Sequence, residues 1–62
     1  MYNKLKNIRK EKGYTIIDLA NVIGRSPSSY FKKEEGSIIF TLEEALKIAE
    51  FLKMSVENLF KN

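Results

Sequence analysis

The sequence predicts an all-α domain of five short helices, and three observations carry the prediction. A chain of 62 residues buries only about 60% of the surface that its unfolded form exposes, which favours a core assembled from local, helical contacts. Apolar residues recur at helical spacing and not in strict alternation. Turn and cap residues at Gly13, Gly24, Ser26-Pro27, Gly36, Thr41 and Ser55 cut the chain into short segments. No repeat or low-complexity tract interrupts them, so residues 1–62 are expected to form a single domain.

The first helix runs from about Tyr2 to Lys12 and stops at Gly13, after a last turn rich in Lys and Arg that suits the negative end of the helix dipole. At about 100° per residue, Tyr2, Leu5, Ile8, Arg9 and Lys12 share one side, so Arg9 flanks the buried stripe. Thr15 supplies a cap oxygen and Asp18 a first-turn acid for the second helix, whose buried face is Ile16, Leu19, Ala20 and Ile23. Gly24 ends that helix, and Ser26 with Pro27 starts the third at once, since Ser is a favoured N-cap and Pro suits the first helical position.

The third helix, Pro27 to about Glu34, sets Pro27, Tyr30 and Glu34 on one side with Lys33 beside them, and Ser28, Ser29, Lys32 and Glu35 on the other. After a loop from Gly36 to Phe40, Thr41 and Glu44 form a capping box. In the fourth helix Leu42, Ala45, Leu46, Ile48, Ala49, Phe51 and Leu52 are apolar at helical spacing and predict the central core helix. Ser55 caps a last turn in which Val56, Leu59 and Phe60 return to the core.

Composition removes several function classes. Without cysteine or histidine there is no disulfide, no thiolate or imidazole metal ligand, no cysteine nucleophile and no imidazole base. Glu34 and Glu35 are sequence neighbours, as are Glu43 and Glu44, so each pair diverges on a helix instead of converging as an acid and a base. Neither an enzyme nor a bound metal or cofactor is expected. No apolar run approaches the roughly 20 residues of a membrane span, and the Lys-rich start leads into no secretion-signal core. The chain is expected to be soluble and cytoplasmic, without a membrane partner.

Charge is unevenly spread. Residues 1–33 hold eight Lys and Arg against two acids, a net of +6, and residues 34–62 hold three against six, a net of −3. Such asymmetry points to a polyanion, although a solvated Lys-rich helix gives the same arithmetic. Two short helices joined by a glycine-containing turn, the second exposing small polar and basic side chains, is the helix-turn-helix layout that sets a recognition helix in the DNA major groove. In that layout the start of the third helix directs backbone N–H groups at a phosphate. Ser28, Ser29 and Lys32 offer donors to base edges or phosphate oxygens.

Five runs taken in order extend this reading: Leu5 to Thr15, Asp18-Leu19-Ala20 with Ile23-Gly24, Lys32 to Gly36, Leu42 to Ala49, and Ser55 to Phe60. Together they resemble the phage lambda-repressor and Cro-like helix-turn-helix family over almost the whole chain. The resemblance implies a five-helix lambda-repressor-like domain with the helix-turn-helix in helices 2 and 3. It further implies sequence-specific binding to double-stranded DNA, usually as a homodimer on a pseudo-palindromic operator, transcriptional regulation, and no cofactor. By position it implies that Ser28, Ser29 and Lys32 face the groove, that Thr15, Ile16, Arg25 and Ser37 lie near phosphates, and that Arg9 and Glu34 form an ion pair bridging the first and third helices.

Three positions depart from the family. Ile16 stands where relatives usually have glutamine and makes no hydrogen bond to a phosphate. Lys33 stands at a usually apolar position, its stem expected along the core edge and its ammonium in solvent or on DNA. Glu35 replaces a usually neutral residue and opposes a nearby phosphate. Apolar residues also stand where a monomer prefers polar ones: Ile17 and Val22 on the second helix, Phe31 beside the recognition face, and Ile38, Ile39 and Phe40 in the loop. The loop residues either fold over the core or form, with Phe60, a dimer or partner surface. Phe31 packs internally, touches a thymine methyl or meets a protein. Two functions follow: a dimeric DNA-binding repressor, or a module that keeps the fold but binds a protein partner through apolar residues in the manner of an antirepressor or antitoxin.

Overall fold

The computed structural model describes residues 1–61, and these form five helices: α1 (Asn3–Glu11), α2 (Ile16–Ile23), α3 (Pro27–Glu35), α4 (Leu42–Leu52) and α5 (Val56–Phe60). The helix starts follow from local chemistry. Thr15 and Asp18 cap α2 reciprocally, Thr41 and Glu44 do the same for α4, and the Ser26 and Ser55 hydroxyls accept the N–H groups of Ser29 and Asn58. Gly24 closes α2 in the left-handed region at φ 69°, donating its N–H back to the last turn. α4 closes in the same region at Lys53, φ 57°, without a glycine.

α2 packs on α3 and α4, and α5 packs on α1 and α4. Leu5, Leu19, Ala20, Ile23, Tyr30, Ile48, Ala49, Leu52 and Leu59 fill the space between them. A second cluster is aromatic: Phe40 meets Tyr2, Tyr30 and Phe60 edge-to-face, with centroids 5.4, 5.9 and 5.1 Å away, and Tyr2 meets Phe60 at 5.5 Å. These rings tie the start of the chain, the α3–α4 loop and α5 together. Gly36 lets that closure happen. Its φ is +90°, and a Cβ there would stand 2.8 Å from the Met1 Cβ.

The structure corrects three expectations about burial. Of the apolar residues of α4, only Ala45, Ile48, Ala49 and Leu52 are buried, whereas Leu42, Leu46 and Phe51 are exposed. α4 lies on its neighbours with one arc; at about 100° per residue Leu46 and Phe51 fall outside it, and Leu42, at its edge, is the first residue of the helix, where no neighbour covers it. Lys12, expected on the buried side of α1, is exposed because α1 ends at Glu11 and the chain turns at Gly13. The α3–α4 loop divides: Phe40 turns into the aromatic cluster with Phe60, while Ile38 and Ile39 face out. Phe40 and Phe60 are therefore part of the packing of the monomer, not of an outer surface.

α3 is the unusual element, because its buried side is Tyr30, Lys33 and Glu34. Arg9 of α1 meets Glu34 with two parallel bonds, Nε donating to Oε2 and Nη2 to Oε1, each 3.0 Å. Its Nη1 donates to the Tyr14 carbonyl at 3.0 Å, and the Tyr30 hydroxyl donates to Glu34 Oε2 at 2.7 Å. The hydrogen bond to Glu34 raises the Arg9 pKa further, and burial together with the Glu34 carboxylate raises that of Tyr30, so both protons stay in place. Among the described residues no buried side-chain N or O atom lacks a partner.

Removing one member of a buried pair strands the other charge, at about 3–5 kcal/mol, in a domain whose total stability is roughly 3–9 kcal/mol by size. Arg9→Met is accordingly expected to lose about half or more of the stability in a urea titration, with a much lower midpoint than the parent. Replacing Arg9 by Met, Glu34 by Leu and Tyr30 by Phe together removes both charges and the orphaned hydroxyl, and most of the loss should return. A single variant as stable as the parent would show that Glu34 finds other partners.

Candidate nucleic-acid interface

The turn between α2 and α3 is three residues, Gly24, Arg25 and Ser26, and it brings the start of α3 to the surface beside the end of α2. Arg25 N–H donates to the Ala20 carbonyl at 3.0 Å, which locks the turn to α2. On α3 the residues turned away from Tyr30, Lys33 and Glu34 are open to water: Ser28, Phe31, Lys32 and Glu35 are exposed, and Pro27, expected on the inner side with Tyr30 and Glu34, is exposed as well because it is the first residue of the helix. Ser29 lies at the margin, half-buried, with its N–H held by the Ser26 hydroxyl at 3.1 Å. Compared with the face expected from angle, the outward arc gains Phe31 and keeps Ser29 only at its edge.

The other expected contact residues occupy distinct settings. Thr15 is exposed, but its hydroxyl is engaged by the Asp18 N–H at 3.2 Å. Ile16 is half-buried against the core, and Ser37 is exposed just after α3, with its N–H on the Lys32 carbonyl at 2.9 Å. Arg25 leaves 53% of its side chain in solvent while its Nε donates to Glu44 Oε2 at 2.9 Å.

Lys33 is a correction. Its ammonium does not reach solvent: only 7% of the side chain is exposed, and Nζ lies 3.0 Å from Glu44 Oε1 and 3.0 Å from the Ile39 carbonyl. The α3–α4 loop folds over it and supplies that carbonyl, so Lys33 belongs to the interior and not to the DNA-facing set.

Glu44 is the residue that sequence reasoning undervalued. It was legible as half of a capping box, but it also receives Lys33 and Arg25, and its side chain is 6% exposed. One carboxylate thus joins the start of α4 (through Thr41 N–H, 3.0 Å), the inner side of α3 and the α2–α3 turn. A signal existed in Lys33 itself: a lysine on the inner arc of α3 requires a buried acid, although nothing local says which. Burial pushes the Glu44 carboxyl up, but the Thr41 N–H, Lys33 and Arg25 outweigh it and hold it at about 2 against an ordinary 4.5.

The internal pairs redistribute the charge. Of the eight cations in residues 1–33, Arg9 and Lys33 are buried against Glu34 and Glu44, and Lys6 sits 4.0 Å from Glu35 in water. Lys32 on α3 and the outer edge of Arg25 are the cations that this surface presents beside Ser28. Both cations and the Ser28 hydroxyl are hydrogen-bond donors of the kind that meet phosphates and groove edges. Among the described residues no group of three or more acidic side chains stands close enough to hold a metal ion, and no helix is long and apolar enough to cross a membrane.

Five helices with a tight glycine turn between the second and third, and a polar outward arc on the third, define a helix-turn-helix domain. Comparison with known proteins agrees: the helix-turn-helix family model matches residues 5–59. The chain belongs to this family, in its lambda-repressor and Cro-like form. It is 39% identical over 56 residues to the cryptic phage CTXphi transcriptional repressor RstR of Vibrio cholerae, covering 90% of this chain and 50% of that protein. It is 40% and 43% identical over 47 residues to proteins of Pyrococcus abyssi and Pyrococcus horikoshii assigned as HTH-type transcriptional regulatory proteins, covering 76% of this chain and 15% of each. The chain thus spans half or less of the curated relatives it matches. No solved structure matches it significantly.

The low Glu44 pKa has a sign that can be measured. Because the folded value lies below the unfolded one, its stabilisation is complete above about pH 4.5 and is lost as the pH falls toward 2. Glu44→Gln should lower the melting temperature at pH 7, and the gap between variant and parent should narrow as the pH drops through that window. A gap independent of pH would mean that the charge of Glu44 contributes nothing and that the loss comes from the changed hydrogen bonding of the amide.

Proposed function

We propose that this chain is a sequence-specific double-stranded DNA-binding transcriptional regulator, a repressor, that acts as a homodimer on a pseudo-palindromic operator with α3 in the major groove. The observation that carries the reading is the outward arc of α3. Its inner side is pinned by directional bonds, and Ser28 and Lys32 project from its outer side next to the partly free Arg25. Phosphate contacts by Arg25, Ser37 and the Thr15 region would supply affinity, and Ser28, Ser29 and Lys32 sequence choice. The relatives named as a repressor and as transcriptional regulatory proteins support the same role. No step of it needs catalysis, a metal or a cofactor.

Selection of bound duplexes from a random pool, at low and at higher salt, tests the reading. A two-fold-related sequence should be enriched. Lys32→Ala should weaken binding to it and reduce the slope of log affinity against log salt by about one per protomer. A folded protein that enriches no duplex, or binds one without salt dependence, would overturn the proposal.

The exposed apolar residues support the dimer. Leu42 and Leu46 lie one turn apart on one face of α4, 71% and 53% exposed, and Ile39 in the loop before them is 77% exposed. With Ile38 they form a surface in which Leu42 and Leu46 take the place of the expected Phe40 and Phe60. Because Leu46 is not in the core, Leu46→Glu is expected to leave the melting temperature nearly unchanged. In sedimentation equilibrium it should shift the protein toward monomer and weaken binding to the palindrome more than to a half-site. The same residues favour one second reading, a module that binds another protein through this face. That reading gains if the parent is monomeric and the duplex selection fails.

A further inference from the structure

The outward arc of α3 contains a side chain that neither phosphate binding nor polar readout uses. Phe31 is 50% exposed. Six of the seven aromatic residues pair with another ring, in the Tyr2, Tyr30, Phe40, Phe60 cluster or as Tyr14 on Phe51, with centroids 4.8 Å apart in the last case. Among the described residues Phe31 alone stacks on no other ring. Its exposure is imposed. Bringing the ring inward requires α3 to turn about its axis, which would break the Tyr30 hydroxyl bond to Glu34 and carry Lys33 away from Glu44.

The neighbours of Phe31 define what the ring can meet. By helical geometry it stands about 60° around the axis from Ser28 and about 100° from Lys32. Ser28 is short and leaves the ring standing proud, while Lys32 draws the same arc toward phosphates. An unsubstituted phenyl ring neither donates nor accepts a conventional hydrogen bond, so it cannot read the amino, carbonyl or N7 groups that base pairs present in the major groove. The apolar feature there is the 5-methyl group of thymine.

We infer that Phe31 is a specificity-determining residue that packs on the 5-methyl group of one thymine in each half-site. This rests on the proposed placement of α3 in the major groove and adds to it an apolar element of readout. Burying one methyl group's worth of surface corresponds to about a fourfold change in affinity. Each half-site should therefore contain one position where thymine is preferred for its methyl and not for its hydrogen bonds.

The test replaces each thymine of the selected duplex in turn by deoxyuridine, which keeps the pairing and lacks the methyl. Affinity is read by fluorescence anisotropy for the parent and for Phe31→Ser, whose folding is checked by its melting curve. The expected result is one thymine per half-site at which the parent loses about fourfold and Phe31→Ser loses nothing, the two changes being non-additive. Lys32→Ala should keep the methyl effect. Salt-dependent binding without any methyl-sensitive position, or a methyl effect of equal size in Phe31→Ser, overturns the role of Phe31 and leaves α3 as a polar reader. Failure of the folded parent to bind any duplex overturns both.

Discussion

A guanidinium and a carboxylate lie out of water where α1 meets α3, and much of the molecule is arranged so that neither is left short of a partner. Arg9 spends three nitrogens, two on Glu34 and one on the Tyr14 carbonyl, and Tyr30 completes the Glu34 oxygens. Such a pair adds little net stability compared with a well-packed apolar replacement. What it adds is direction. Apolar contacts tolerate a helix that rolls a few tens of degrees, whereas a bidentate pair and a 2.7 Å hydroxyl bond do not. With Lys33 held by Glu44 on the same side, three polar side chains fix the rotation of α3, and the composition of its outer face follows from that rotation.

The same bonds shift charge away from the surface. A half-chain that carries +6 in sequence commits Arg9 and Lys33 to the interior and lets Glu44 take one edge of Arg25. The exposed field near α3 is weaker than the sequence count suggests, and Glu35 on the outer arc reduces it again. Affinity for a polyanion from so few cations per protomer is modest. In the proposed homodimer a second protomer would double the contacts without changing any of them, which would give the exposed Ile39, Leu42 and Leu46 a physical reason to be apolar.

What could be read from the sequence divides along the distance over which each cause acts. Helix starts and stops at Thr15, Gly24, Ser26, Gly36, Thr41 and Ser55 are set within four residues, and they stand in the structure where local rules put them. The left-handed close of α4 at Lys53 carries no such mark, because lysine is not a residue that announces it. Burial on α4 was overstated because periodicity tells how many faces are apolar, not how many neighbours arrive. Leu46 and Phe51 lie outside the arc on which α4 is covered, and Leu42 lies at its uncovered first turn. Lys33 and Glu44 were the hardest to foresee. Eleven positions apart, on different helices and each with a plausible local duty, they join only once the loop from Gly36 to Phe40 closes over them.

That loop links the interior to the outer surfaces. Phe40 enters the ring cluster and the Ile39 carbonyl takes the Lys33 ammonium, so the segment is held at two points by groups on its own monomer. Ile38 and Ile39 are then forced outward, as Phe31 is on α3, by bonds made on the opposite side of the chain. In both places the exposed apolar residue is the far end of a buried polar anchor. The backbone that carries these residues is anchored on its own monomer, so fixing it costs a partner little. The same polar core that adds little net stability over an apolar replacement therefore positions two separate surfaces, one on α3 and one at the start of α4, which are the two that the proposed function uses.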